Sequence, residues 1–282
     1  MLHLYDSCPC SVEEQVGRMR PVRTITDAGI PCLVWGEDAL ALAHCVPTVF
    51  FDLQVIVPDD QVEAATLAIL DAHPYYQRSS TPSPHWLEYK LIDPAEPYCF
   101  VNSTTLRLVS PPGHVPGQDD PTAILIHPQS HFYLDVRDHT RSLSLSPPLP
   151  LPYAHMRFPT IAAMLDAYVA VFLDPPLGYY HYKYSNHVRT CISYLCVYNP
   201  IMRAYPRILP NGELEPGYAS VVESLSPENR PYFESYVRNT CNGWWLDSVK
   251  DRRDILEKMG RTSEARKTLP LPLPRFRKSV SA

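Results

Sequence analysis

The chain has 282 residues, of which 45% are hydrophobic and 20% charged, and that length sustains a core of ordinary size without disulfide staples. Its net charge of -5 excludes a strongly basic nucleic-acid binder and an acidic disordered tail protein. With 31 prolines and 10 glycines, proline runs at about twice and glycine at about half its average usage.

Neither G-x-G-x-x-G nor G-x-x-x-x-G-K-[ST] occurs, so the glycine-cradled phosphate sites of Rossmann and Walker type lack their fingerprints. The eight cysteines include no C-x-x-C pair, and Cys8-Pro9-Cys10 is too tight for tetrahedral chelation, so reduced, mostly buried thiols are expected. The N-terminus has no basic segment followed by an apolar one, and no apolar run is long enough to cross a bilayer. These features predict a cytoplasmic protein without a membrane span.

From about residue 12 to 73 the pattern alternates helix, strand, helix, strand, helix. The first helix stops at Gly29, and 30–35 is a short apolar strand broken by Gly36. EDALALAH is rich in helix formers, and TVFFDLQVIV reads as a strand with Phe50, Asp52, Gln54 and Ile56 on one face. Asp59 or Asp60 is placed to cap the next helix, whose Val62, Ala65, Leu67, Ile69 and Leu70 predict a buried side. The section from 74 to 157 is proline-rich, with strands expected over 86–92, 100–109, 123–127 and 132–136 joined by stiff extended loops. From 158 onward the chain turns helical. IAAMLDAYVAVFL is apolar almost all round and predicts a central helix; NHVRTCISYLCVY, the stretch opened by Ser226-Pro227-Glu228, and WWLDSVKDRRDILEKM follow, the last stopped by Gly260. Residues 250–282 carry ten Lys/Arg against four Asp/Glu, read as a solvated helix end and a frayed tail. The division expected is an α/β region over 1–157, a helical region over 158–262 and a basic tail over 263–282.

One constellation carries chemical information: a strand, then Gly36-Glu37, a short alanine-rich helix, and a strand with Asp52-Leu53-Gln54. It resembles the nucleotidyltransferase superfamily, in which a strand-ending glycine admits a triphosphate and two carboxylates spaced by one hold two magnesium ions for attack on the α-phosphate. The resemblance implies an α+β fold, a nucleotidyltransferase-like mixed sheet with flanking helices followed by a C-terminal helical region. The sequence departs from it where the chemistry lies. Gln54 stands in place of the second aspartate, and its neutral amide cannot bridge two dications; Glu37 puts a negative charge where a triphosphate would lie. Glu88 is the candidate third carboxylate.

The run 28–60 is also similar to fungal proteins with degenerate nucleotidyltransferase folds, a group that includes a Diels-Alderase of terpenoid biosynthesis. That resemblance implies a pericyclase of secondary metabolism acting on a hydrophobic small-molecule substrate, with no cofactor and no metal. A cycloaddition asks for a shaped apolar pocket and one donor polarising a carbonyl. Glu37, Asp52 and Gln54 are the candidate catalytic groups, and Trp35, Gly36, Phe50, Glu88 and Arg107 the candidate substrate contacts. Two alternatives stand beside this reading: a magnesium-dependent nucleotidyltransferase using Asp52 and Glu88, and a non-catalytic binding module. His127, His131 and His139 lack the glutamate of H-E-x-x-H and read as surface histidines.

Overall fold

The computed structural model describes residues 4–8, 10–80, 100, 102–109, 120–176, 182–240 and 245–261. The strand expected over 86–92, Glu88 and the tail from 263 lie outside the described residues. Eight helices are present among those described: α1 (Val12–Asp27), α2 (Gly36–His44), α3 (Val62–Ala72), α4 (Ile161–Leu173), α5 (Tyr182–Tyr198), α6 (Pro216–Ser224), α7 (Arg230–Val237) and α8 (Trp245–Lys258). Strands β1 (Leu33–Trp35), β2 (Leu53–Val57), β3 (Tyr76–Ser79), β4 (Thr104–Leu108) and β5 (Ala123–Pro128) form one mixed sheet in the order β1-β2-β5-β4-β3. Among these described strands only the β2–β5 pair is parallel. A second, two-stranded sheet joins β6 (Ser142–Leu143) to β7 (Phe158–Pro159). The molecule is therefore mixed α+β, as the sequence pattern predicts.

Opposed residues on paired strands share a face, and the register puts Trp35, Gln54, Leu125 and Thr105 in one row. His127 lies one step further toward the C-terminal end of β5, opposite Ile56, and Arg107 one step the other way, opposite Ala123. The reverse face carries Val34, Leu53, Val55, Ile124, Ile126 and Leu106, all buried. β2 and β5 are thus covered on both sides, which explains their near-continuous apolar sequence. α3 packs on β4 and β5, and α2 on β1 and β2.

α4 is capped by Thr160, whose Oγ1 accepts from the Ala163 N–H at 3.2 Å, and it is buried from Ala162 to Leu173. Its Tyr168 ring lies 5.1 Å from Trp35, so α4 covers the Gln54 face of the sheet. One contiguous core runs from α1 through the sheet to α8, and each large side chain fully buried in it contributes about 1.5–3 kcal/mol.

Several local expectations are corrected. The strand read over 48–57 begins only at Leu53: β1 offers three residues, ending at the Trp35–Gln54 pair, and the Phe51 carbonyl is taken by Arg18 instead of a strand. Phe50 and Asp52 therefore precede β2 instead of sharing its face. α3 starts after a 3-10 turn over Asp59–Gln61 without a side-chain cap, since Asp59 accepts from the Ser130 N–H, and Leu67 is exposed. The strand expected over 132–136 is replaced by a 3-10 turn, Gln129–Phe132, closed by Tyr133 in the left-handed region at φ 56°. The proline signal at 227 falls in a turn, and the helix itself starts at Arg230 with Pro231 in its first turn. α6 and β3 were not anticipated.

Candidate functional site

Gly36 opens α2 with φ of +64°, a conformation that side chains with a Cβ avoid. An added Cβ would stand 2.6 Å from Gln54 Nε2 and 2.9 Å from Gln54 Cδ. The Gln54 amide thus occupies the open side of the glycine, the place where the resemblance seats a triphosphate.

Gln54 is held there from both ends. Its Nε2–H donates to Glu37 Oε2 at 3.2 Å, and its Oε1 accepts from His127 Nε2 at 3.2 Å. A proton on His127 Nε2 leaves Nδ1 to accept from the Ser103 hydroxyl at 2.8 Å. Burial holds the His127 imidazole down to about 3, so it is neutral at ordinary pH, with one ring nitrogen a donor and the other an acceptor. The result is a directional chain, Ser103 to His127 to Gln54 to Glu37, whose last three members are buried. Each of the side chains along it has a hydrogen-bond partner, which is what a buried polar network requires.

Glu37 lies in the first turn of α2. Burial pushes its carboxyl up to about 7; the nearby Asp38 and Asp52 charges add to this, while the backbone at the helix start and Arg18 oppose it. Its second oxygen, Oε1, faces His187 Nε2 of α5 at 3.7 Å. His187 is also 3.6 Å from Cys191 Sγ, one helical turn away.

Next to Glu37, Asp38 is fully buried and held bidentately by Arg18 of α1, Nε to Oδ1 at 2.6 Å and Nη2 to Oδ2 at 2.9 Å. Burial raises the Asp38 carboxyl, and Arg18 works against that rise. The guanidinium also donates to the Phe51 carbonyl and lies 5.0 Å from the Phe50 ring centroid. Arg18 therefore fixes the first turn of α2 and the approach to β2 together, a bidentate geometry that lysine would not supply.

Aromatic rings surround the polar chain. Phe100 lies 4.6 Å from His127 and 5.4 Å from His131, Phe132 lies 4.6 Å from Trp35, and His131 reaches the Tyr184 hydroxyl at 3.3 Å. His127 and His131 are 0% and 3% exposed, which corrects the expectation of surface histidines at these two positions, while His139 is exposed as expected.

Of the residues predicted from sequence, Trp35, Gly36, Glu37 and Gln54 come together directly, with Asp52 buried beside them and felt by both Glu37 and Arg18. Phe50 covers the Arg18 guanidinium instead of lining the sheet face. Arg107 stands on the Gln54 face but at the end of β4 away from His127, and Glu88 lies outside the described residues. Sequence reasoning missed Arg18, Asp38, Ser103, His127, Tyr168, His187 and Cys191. Only the His187–Cys191 spacing of four, which puts both on one helix face, offered a signal.

The described residues do not fit a two-magnesium centre. Gln54 is neutral and already engaged at both ends, and Asp38 is committed to Arg18. Among the described residues no group of three or more His, Cys, Asp or Glu side chains is arranged to hold a metal ion, and no helix is long and apolar enough to cross a membrane. No protein-family model, curated protein or solved structure matches the chain.

Proposed function

We propose that the chain is a cofactor-independent enzyme of secondary metabolism, on a degenerate nucleotidyltransferase-like fold, that binds a hydrophobic terpenoid substrate and promotes its Diels-Alder-type cyclisation. The observation that carries this reading is the seat of Gln54 on Gly36. The place suited to phosphate is filled, and the residue filling it orients a carboxyl of raised pKa toward the half-buried edge near His187.

In its protonated form Glu37 keeps Oε2 as the acceptor for Gln54, which leaves Oε1–H to donate to the carbonyl of the dienophile. A donor aimed at a carbonyl in a water-poor site is worth about 3 kcal/mol of barrier. Holding diene and dienophile in near-attack geometry supplies the larger share, up to roughly 7–11 kcal/mol for well-oriented reactants. Trp35, Phe100 and Phe132 are core rings packed behind that site, and Glu37 with Gln54 is the polar end that orients the substrate.

Calorimetric titration with ATP and magnesium tests the choice against nucleotidyl transfer. The reading predicts no binding tighter than about millimolar; saturable micromolar binding that is lost in Asp52→Asn would replace it with the magnesium-dependent transferase.

A further inference from the structure

The helix facing the polar chain brings a second titratable group to Glu37. α5 carries His187, and its Nε2 lies 3.7 Å from Glu37 Oε1 and 3.6 Å from Cys191 Sγ. The His187 side chain is 21% exposed and that of Glu37 10%, so the pair stands where the buried chain meets the surface. Glu37 is also faced by Arg18 from α1, Asp38 on its own helix, Asp52 ahead of β2 and Tyr168 from α4. Gln54 holds one carboxyl oxygen, and His187 confronts the other. We infer that Glu37 and His187 form an acid–base couple that enolises a carbonyl substrate, which rests on the cyclisation reading and gives its substrate class: enones or enals with an acidic C–H conjugated to the carbonyl.

In the step, the Glu37 carboxylate takes the proton from carbon, and the C–H electron pair becomes a new C=C. The carbonyl oxygen gains its proton from the His187 imidazolium. Substrate and product are isomers, and the couple is left as neutral Glu37 and neutral His187. The His187 side chain is 21% exposed, so water at this edge carries that one proton from Oε1 to Nε2 when the site next empties and restores the couple. Cys191 offers its S–H to the same nitrogen, which holds the neutral ring in place meanwhile. The carboxyl, raised to about 7, is matched to a base working near neutral pH. The dienol of a conjugated enone is a 1,3-diene, so this step provides one partner of the cyclisation.

The test uses the full chain and cyclohex-2-enone in deuterated buffer, with proton exchange followed by NMR. Exchange at carbon should exceed the buffer rate and fall about a hundredfold in both Glu37→Gln and His187→Gln; exchange at the buffer rate, or unchanged in both variants, overturns the inference. A second measurement needs no substrate. The His187 ring should titrate about one pH unit higher in the wild type than in Glu37→Gln, and equal midpoints would overturn the couple. Exchange at cyclohex-2-enone with no ring-closed product from any terpenoid diene bearing an unsaturated carbonyl would keep the couple and remove the cyclisation reading; cyclisation of such a diene indifferent to His187→Gln would do the reverse.

Discussion

The Gln54 amide lies on Gly36 so closely that the glycine has no room for a methyl group: an added Cβ would meet Nε2 at 2.6 Å. Two separate costs follow for Gly36→Ala, the left-handed backbone and the clash. Together they should remove about 2–4 kcal/mol of stability in urea unfolding. In a Gln54→Ala background the clash is gone, and the loss should shrink to about 1–2 kcal/mol. Equal losses in the two backgrounds would mean that Gln54 does not rest on the glycine.

The Arg18–Asp38 pair is buried at both ends. Removing one partner strands a charge away from water, and Asp38→Leu or Arg18→Met should each cost about 3–5 kcal/mol. The double replacement Arg18→Met with Asp38→Leu should cost less than either alone, because no charge is left unpaired. A double-mutant cycle in urea reads this, and single losses under about 1 kcal/mol would show that the pair is dispensable.

The pH dependence of stability follows from three buried groups. Glu37 is raised from 4.5 to about 7, so between these values the folded chain holds a proton that the unfolded chain has released. Its contribution is fully present below pH 4.5 and is lost as pH rises to 7, by about 3 kcal/mol. His127 and His44 are lowered from 6.5 to about 3 and 4, and their contribution is present above 6.5 and lost as pH falls. Glu37→Gln keeps an acceptor for Gln54 while deleting the first effect. The variant should be more stable than wild type at pH 8 by about 1–3 kcal/mol and should lose stability more steeply on acidification below pH 6.5. Parallel profiles from pH 4.5 to 8 would contradict the buried carboxyl.

Much of the frame was legible in the sequence because it is set by local rules. α2 reads directly from GEDALALAH, α4 from an all-round apolar run, and β5 from AILIH. The site was legible only where it lies within one stretch of chain: Trp35, Gly36, Glu37, Asp52 and Gln54 sit within twenty residues. Arg18, His127 and His187 come from three other elements, and nothing in their neighbours marks them as buried partners of α2 and β2. The extent of β2 was misread for a similar reason. Val49 and Phe50 have strand-like chemistry, but β1 ends before it could pair with them, and Arg18 takes the carbonyl of Phe51.

The central claim is that a site built around Glu37 and Gln54 closes a ring in a hydrophobic carbonyl compound without a cofactor. Cycloaddition conserves mass, so the most direct measurement incubates the purified chain with a panel of terpenoid dienes bearing an unsaturated carbonyl and follows products by chromatography and mass spectrometry. The account predicts a product isomeric with its substrate, formed without added metal or nucleotide and lost in the Glu37→Ala, Gln54→Ala double variant. Turnover undiminished in that variant, or a product formed only with nucleotide and magnesium, would contradict it.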